Sequence, residues 1–276
     1  MSSLRISRVI VTLLMSAAGI MFIMPFLWML SASFKPELDV LTYPIQWIPK
    51  TWNAAENYRE VWFGALPFSL YYLNTIKITL LTTVFSLIIS SMAAYGFSKI
   101  SFRGRDLLFI VILATFMIPS QAILVPQFMM YRWLGLFDSH TGLVLLGGSS
   151  VIGTFLLRQF YMSIHNEIIE SARIDGANHL TIFVRITLPL VKSALATVMI
   201  LRFIWTWNDY QNPLIFLRSD KLFTLQLGMT KFSDVNGEFY SLMMAGAVSA
   251  ILPLLIIFII GQKHVIEGVA SGSVKG

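Results

Sequence analysis

The chain has 276 residues, with 20 Lys and Arg and 14 Asp and Glu; charged residues make up 12% and hydrophobic ones 56%, and the mean hydropathy is +0.73. A soluble domain carries about 25% charged residues, so this chain has too few polar groups to cover a globule in water, and it is too hydrophobic to be disordered. The absence of cysteine excludes a disulfide framework, Cys-ligated zinc and a thiol nucleophile, and the formal charge of +6 contains no basic run of the kind that binds nucleic acid.

A bilayer core takes about 20 apolar residues per helix. Val9 to Ser33 is the first uncharged run, preceded by Arg5 and Arg8. It is longer than the apolar core of a signal peptide, so a retained span over 9–33 is expected. Residues 35–68 carry Pro36, Pro44, Pro49 and Pro67 with Trp47, Trp52 and Trp62, and read as an extramembrane loop with interfacial aromatics. The second span covers 73–98. Within it Thr82, Ser86, Ser90, Ala94 and Ser98 recur every fourth residue, a small-residue face that lets another helix approach closely. Lys99, Arg103 and Arg105 form a short basic loop.

The third span, 107–131, contains Pro119, Gln121 and Pro126. Proline frees backbone carbonyls, so two readings stand: a bent helix lining a path, or a helix that stops near Pro119 and continues as an outer loop. The fourth span is short and glycine-containing, over 139–160. A polar, mixed-charge segment over 163–187 follows. The fifth span, 188–208, is interrupted by Lys192 and Arg202, and the sixth, 239–262, contains Pro253. The tail is 263–276. An even number of spans puts both termini on one side, and the basic clusters nearest the helix ends put that side in the cytoplasm.

Two places hold polar chemistry. Arg202 lies inside an apolar stretch with Asn208 and Asp209 close behind, and is read either as lining a solute pathway with them or as a buried or snorkelling charge that holds helices together. Trp205 and Trp207 read as interfacial anchors rather than as sugar-stacking platforms. In the segment 163–187, Ile168, Ala172, Gly176 and Leu180 recur at helical spacing, which makes one apolar face with small residues at its centre, while Glu167, Glu170 and Arg173 lie elsewhere. A short helix of this kind suits a groove on a partner better than a lipid surface, which would select bulky anchors and more Lys.

That segment resembles the cytoplasmic EAA loop of ABC-importer permeases. Glu170, Ala172, Gly176, Ile186, Leu188 and Pro189 match at the family's spacing, and the one departure is Ser171 in place of the first alanine. Ala172 to Ala177, the run Trp207-Asn208-Asp209-Tyr210 and the pair Pro213-Leu214 are similar to forms found in carbohydrate importers. The ending Glu267 to Gly276 resembles the tail of the maltose-type permease that lacks a large periplasmic insertion.

The resemblance implies an all-α polytopic membrane protein with six transmembrane helices, in a single domain with the type I ABC-importer permease fold. It implies a transport subunit with no catalytic residue and no metal site, in the bacterial inner membrane. Glu170 would contact a separate ATPase subunit, Ser171 would stand beside it, Ala172 and Gly176 would permit close approach, Asp175 would cap or pair locally, and Pro189 would close the motif. Ser273, Val274, Lys275 and Gly276 would reach the ATPase dimer. Gln121, Arg202, Asn208 and Asp209 are the candidate pathway residues. ATP and Mg would be bound by the ATPase dimer and not by this chain. The remaining implied partners are a second permease in a heterodimer, an extracytoplasmic solute-binding protein and membrane lipid.

A glycerol phosphate ester or an acidic oligosaccharide are the alternative solutes. A secondary transporter would need an acidic site in its spans, and a membrane enzyme would need convergent ionisable groups there; the predicted spans offer neither. No phosphate-cradling P-loop is present, and His140, His165, His179 and His264 lack zinc spacing.

Overall fold

The computed structural model describes residues 2–234 and 237–273, and it is helical almost throughout. The chain divides into two compact units, Met1–Leu70 with Gly228–Leu252, and Tyr71–Leu227 with Pro253–Gly276.

In the first unit, helix α1 (Ser2–Ser33) follows directly from the first apolar run. None of its most hydrophobic stretch is buried, so its side chains are left to lipid or to another chain. The segment that follows is more ordered than the loop expected of it. It forms α2 (Glu37–Val40) and α3 (Ala54–Phe63). Asn57 holds the end of α1 by donating from its amide to the Ser33 carbonyl at 2.9 Å and the Lys35 carbonyl at 2.8 Å. Trp62 and Phe68 meet edge to face at 5.2 Å, and Phe68 packs on Phe232 at 6.1 Å. The carboxylate of Glu37 accepts hydrogen bonds from the backbone N–H groups of Tyr240 (2.9 Å) and Ser241 (2.8 Å) and from the Ser241 hydroxyl (2.7 Å). These N–H groups belong to the first turn of the last helix, which no carbonyl within the helix can satisfy, and a negative charge there interacts favourably with the helix dipole.

The second unit begins within α4 (Phe68–Lys99) and contains α5 (Arg105–Thr115), α6 (Ser120–Trp133), α7 (His140–Leu146), α8 (Val151–Ser163), α9 (Asn166–Ile174), α10 (His179–Thr181), a π-helical turn over Ile182–Thr187, α11 (Leu188–Leu190), α12 (Lys192–Trp207), α13 (Gln211–Phe216) and α14 (Leu225–Gly228). The last helix, α15 (Tyr240–Ser273), passes from the first unit into the second.

Among the described residues three helices are long and apolar enough to cross a membrane singly, and three bent pairs pass the same test together, which gives up to six spans. The bends refine the straight spans expected from hydropathy. α5 and α6 meet at 96°. Pro119 has no N–H and disfavours helix at the residue before it, so α5 stops at Thr115 and α6 restarts at Ser120. The helix does stop ahead of Pro119, and the chain beyond it is the helix α6 and not a loop. α7 and α8 meet at 47° across Gly147–Ser150. In the fifth span the helix proper is α12, and Leu188–Leu190 lies on the far side of an 81° bend at Val191.

Four of the five rungs of the small-residue ladder of α4 are buried, Thr82 and Ser86 being 1% exposed and Ser90 and Ala94 0%, while Ser98 at its end is half-buried. The α7–α8 break packs on it. A Cβ at Gly147 would fall 2.5 Å from Thr82 Cγ2, and one at Gly148 2.3 Å from Phe85 Cε1, so both positions admit only glycine without local rearrangement. Arg158 of α8 reaches back to the other neighbours, donating to the Phe97 carbonyl at 3.2 Å, pairing with Asp106 at 3.3 Å and lying 4.1 Å from the centre of the Phe109 ring.

The segment from Leu217 to Leu225 is strapped from two sides. Asp138, which adopts φ 55°, accepts from the backbone N–H groups of Arg218 (2.8 Å) and Ser219 (2.9 Å), and His140 Nε2 lies 2.9 Å from the Leu222 carbonyl. From α4, Asn74 donates to the Lys221 and Phe223 carbonyls at 2.9 and 3.0 Å, Tyr71 donates to Asp220, and Thr75 accepts from the Leu225 N–H at 2.7 Å. Burial alone would raise the Asp138 carboxyl, but the bonds from Ser219 and Arg218, with the Arg218 charge, hold it below the ordinary carboxylate value. The folded pKa therefore lies below the unfolded value of about 3.9, so this contribution is present above that pH and is lost as pH falls through the folded pKa. Asp138→Asn is expected to flatten the acid limb of thermal stability below about pH 4; melting curves of the solubilised protein between neutral and acid pH check it.

Candidate functional site

Helix α9 is short and charged, yet it is anchored. Ile169 (4% exposed) and Ala172 (8%) face inward and join a core cluster with Tyr95, Leu157, Tyr161, Ile182, Val191, Ala194 and Val198. Lys99 at the end of α4 donates to the Ile164 carbonyl at 2.6 Å and to Asn166 Oδ1 at 3.0 Å, just ahead of the helix. After it, Tyr95 OH lies 3.4 Å from His179 Nδ1, and Arg173 is the same distance from His179 Nε2. The core behind α9 is thus shared with α4, α8 and α12, so displacement of α9 loads all three.

The helix ends where glycine allows it. Gly176 adopts φ +84°; its N–H bonds the Arg173 carbonyl at 2.9 Å, and the Ala177 N–H bonds the Ala172 carbonyl at 2.9 Å. This pair of bonds around a left-handed residue is the Schellman termination. It corrects the face expected from spacing. Gly176 lies beyond the helix end, Ile168 and Leu180 are 42% and 66% exposed, and Ala172 faces the protein's own core. The four positions do not form one stripe, because the helix stops before the third of them. What α9 offers outward is Glu167, Ile168, Glu170, Ser171, Arg173, Ile174 and Asp175, and Ile174 is 87% exposed among those charges. Asp175 is the C-cap residue, and Pro189 is exposed in α11, directly after the π-helical turn.

The second polar site is a cavity of about 280 Å³ within the second unit, bounded by α4, the α7–α8 break, α12 and the strapped segment. Arg202 lines it and donates from its guanidinium to the Gly147 carbonyl at that break. Asp209 lines it too, with its carboxylate accepting from Asn212 N (3.1 Å) and Asn212 Nδ2 (2.7 Å). The other two expected pathway residues are not brought here. Gln121 is exposed on α6 past the 96° bend, and Asn208 is exposed with its amide turned back to the Ile204 carbonyl at 2.9 Å. Trp207 is not an interfacial anchor. It is 1% exposed and stacks on Phe203 at 5.7 Å, whereas Trp205 is 48% exposed and lines the cavity.

Thr79, Thr206 and Thr224, which also line it, carried no signal in the sequence, and Thr82 read only as part of the packing ladder. Ser273 ends α15, and Val274, Lys275 and Gly276 lie outside the described residues. Among the described residues no group of His, Asp and Glu is placed to hold a metal.

Residues 86–270, about two thirds of the chain, match the family described as binding-protein-dependent transport system inner membrane component. The chain belongs to this family. It is a multi-pass permease subunit of an ABC importer and not itself an enzyme. The arabinooligosaccharides transport system permease protein AraQ of Bacillus subtilis (strain 168) is 33% identical to the permease, covering 98% of this chain and 96% of its own. The galactooligosaccharides transport system permease protein GanQ of the same organism is 34% identical, covering 96% and 94%. Among solved structures, a chain of a bacterial ABC transporter involved in the import of the acidic polysaccharide alginate superposes with a TM-score of 0.84 at 27% identity, over 94% of this chain and 96% of that one. A chain of the alginate transporter in complex with an alginate pentasaccharide-bound periplasmic protein matches at 16% identity with a TM-score of 0.67, a likeness of fold alone.

Proposed function

We propose that the permease forms one half of the pathway of a carbohydrate importer and is driven through α9 by a separate ATPase dimer that holds ATP and Mg. The observation that carries the coupling role is the outer face of α9. An isoleucine that is 87% exposed stands among Glu170, Ser171, Arg173 and Asp175, on a helix clamped from behind to the cores of α4, α8 and α12. A surface of that kind gains by burying Ile174 in a partner's groove, and the clamp passes the partner's motion to the spans. The chain acts as a single transmembrane domain in the bacterial inner membrane with both termini in the cytoplasm, which puts α9 on the side of the ATPase. A second permease subunit completes the pathway as a heterodimer, and an extracytoplasmic binding protein delivers the solute. The tail from Ser273 reaches the ATPase dimer.

The carbohydrate assignment is supported by relatives about one-third identical over nearly their whole length whose names specify arabino- and galactooligosaccharides. An acidic oligosaccharide is the second reading, favoured by the alginate-importing neighbour.

The chain has no cysteine, so Ile174→Cys is a unique thiol. In the assembled transporter, labelled with a maleimide carrying a benzophenone and irradiated, it is expected to cross-link to the ATPase subunit by insertion into a C–H bond of that subunit. A thiol that stays fully reactive toward a small maleimide, with no cross-link to the ATPase, would remove the coupling assignment. Uptake by cells of labelled neutral disaccharides against acidic oligosaccharides decides the solute class.

A further inference from the structure

Helices α4 and α7 leave an open-sided groove of about 390 Å³ between them, wholly within the second unit. From α4 it is lined by Lys77, Leu81, Val84, Phe85 and Ile88, which recur at helical spacing and so form one stripe. From α7 it is lined by His140, Thr141, Val144 and Leu145. Asn74 and His140 both bond carbonyls of the stretch Lys221–Phe223, while Gly147 and Gly148 press on Thr82 and Phe85. The two helices therefore run side by side in one direction. Lys77, His140 and Thr141 lie together at one end of the groove, and Ile88 and Leu145 lie toward the other.

The two ends fall at different depths in a membrane. The uncharged run Ile78 to Ser98 has Ile88 at its middle, so the apolar end lies near the bilayer midplane and Lys77 at the border of the hydrocarbon. Lys77 and Ile88 are eleven positions apart, about 16 Å of helix, against about 15 Å for half of the hydrocarbon core. The groove thus runs the depth of one leaflet, the outer one in the orientation proposed above.

Charge and width restrict what fills it. Lys77 is the only charged residue of α4 before Lys99. Among the described residues its ammonium makes no ion pair or hydrogen bond. The nearby Asp138 carboxylate is taken up by Arg218 and Ser219. A cation at the edge of hydrocarbon gains from an anion brought to it, and the exposed Thr141 beside it adds a hydroxyl donor. In width, about 390 Å³ over about 16 Å leaves a channel roughly 5 Å square. A helix, about 10–12 Å across, bridges such a channel without filling it. Carbons pack about 3.5–4.0 Å apart, so one extended hydrocarbon chain does fill it. Leu81, Val84 and Ile88 are 50%, 56% and 53% exposed, which leaves the channel open to entry from the side.

We propose that this groove is an anionic phospholipid site. One acyl chain lies along Leu81, Val84, Ile88 and Leu145, and the headgroup phosphate meets Lys77 and Thr141. The chain packs between α4 and the α7–α8 bend, where the Phe85 ring already stands against the backbone of Gly148. The site needs only the membrane span of α4, and the solute carried does not enter into it.

The test uses the assembled transporter, with its ATPase and partner permease, in nanodiscs of phosphatidylcholine. These carry a trace of photoactive phosphatidylglycerol or of photoactive phosphatidylcholine, each with the same diazirine-bearing acyl chain. After irradiation the modified residues are mapped by mass spectrometry. Insertion at Leu81, Val84, Ile88, Val144 or Leu145 is expected to be about fivefold higher from the anionic lipid, the scale on which one lysine acts on an anionic headgroup. Lys77→Gln is expected to bring the two lipids level at these residues, and Lys77→Arg to keep the preference. Lys77 is exposed, so neither substitution disturbs a packed core.

No insertion at these residues from either lipid means that a protein segment covers the groove, and overturns the proposal. So does equal insertion from both lipids in the parent, the mark of bulk lipid passing over the face. A preference that survives Lys77→Gln overturns it as well, because the lysine is then no part of the site.

Discussion

Gly176→Asp is expected to abolish ATP-coupled uptake while the protein still reaches the membrane at parental levels. Two effects combine. Gly176 closes α9 at φ +84°, a conformation that costs an ordinary L-residue roughly 1–2 kcal/mol. A Cβ there meets nothing within 4 Å in the chain itself, so the added side chain does not disturb the permease's own core. It projects instead from the surface proposed to face the ATPase, where it adds a negative charge next to Asp175. Gly176→Asn, which supports the left-handed turn at small cost without the charge, is expected to keep most of the uptake. Vesicle uptake, measured beside the membrane-fraction level of each variant, checks both. Normal uptake by Gly176→Asp would remove this loop from the coupling path.

Arg202→Met is expected to destabilise the permease by about 3 kcal/mol, the scale of removing one partner from a buried charged contact. That corresponds to a fall in melting temperature of roughly 6–12 °C. The guanidinium bonds the Gly147 carbonyl, which the break between α7 and α8 leaves free of helical pairing. Methionine keeps the aliphatic stem of the side chain and none of its donors, so the Gly147 carbonyl loses its cationic partner. Arg202→Lys keeps the charge but not the planar fork, and its stability is expected to fall between the two. Melting of the purified complex measures the series, and a methionine variant as stable as the parent would remove Arg202 from the framework of the bend.

Much of this was legible in the chain because it is written locally. Uncharged runs of membrane length locate the spans at Val9 to Ser33 and Phe239 to Gln262, and the charges that remain cluster at Glu167, Glu170, Arg173 and Asp175. The ladder from Thr82 to Ala94 was readable as a packing face because a fixed four-residue spacing puts small side chains on one side of a helix. The stripe from Ile168 to Leu180 misled for the complementary reason. The same spacing was carried through Gly176, whose left-handed φ ends the helix, and periodicity does not register a helix end. Trp207 misled likewise, since an indole near the end of a span has the same sequence signature whether it faces headgroups or packs on Phe203.

Composition and spacing alone determined that this is a polytopic membrane protein with a charged segment between its fourth and fifth spans, since hydrophobic length and the EAA-type positions are properties of consecutive residues; that the segment is anchored to α4, α8 and α12 came from the tertiary structure. Tertiary structure alone decided where the spans bend and which polar groups meet. Arg202 finds its carbonyl 55 positions away at Gly147. Thr79 and Thr82 border one cavity with Thr224 from a segment strapped back onto α4. Which side chains share one space depends on everything that folds around it, which no local window of sequence contains.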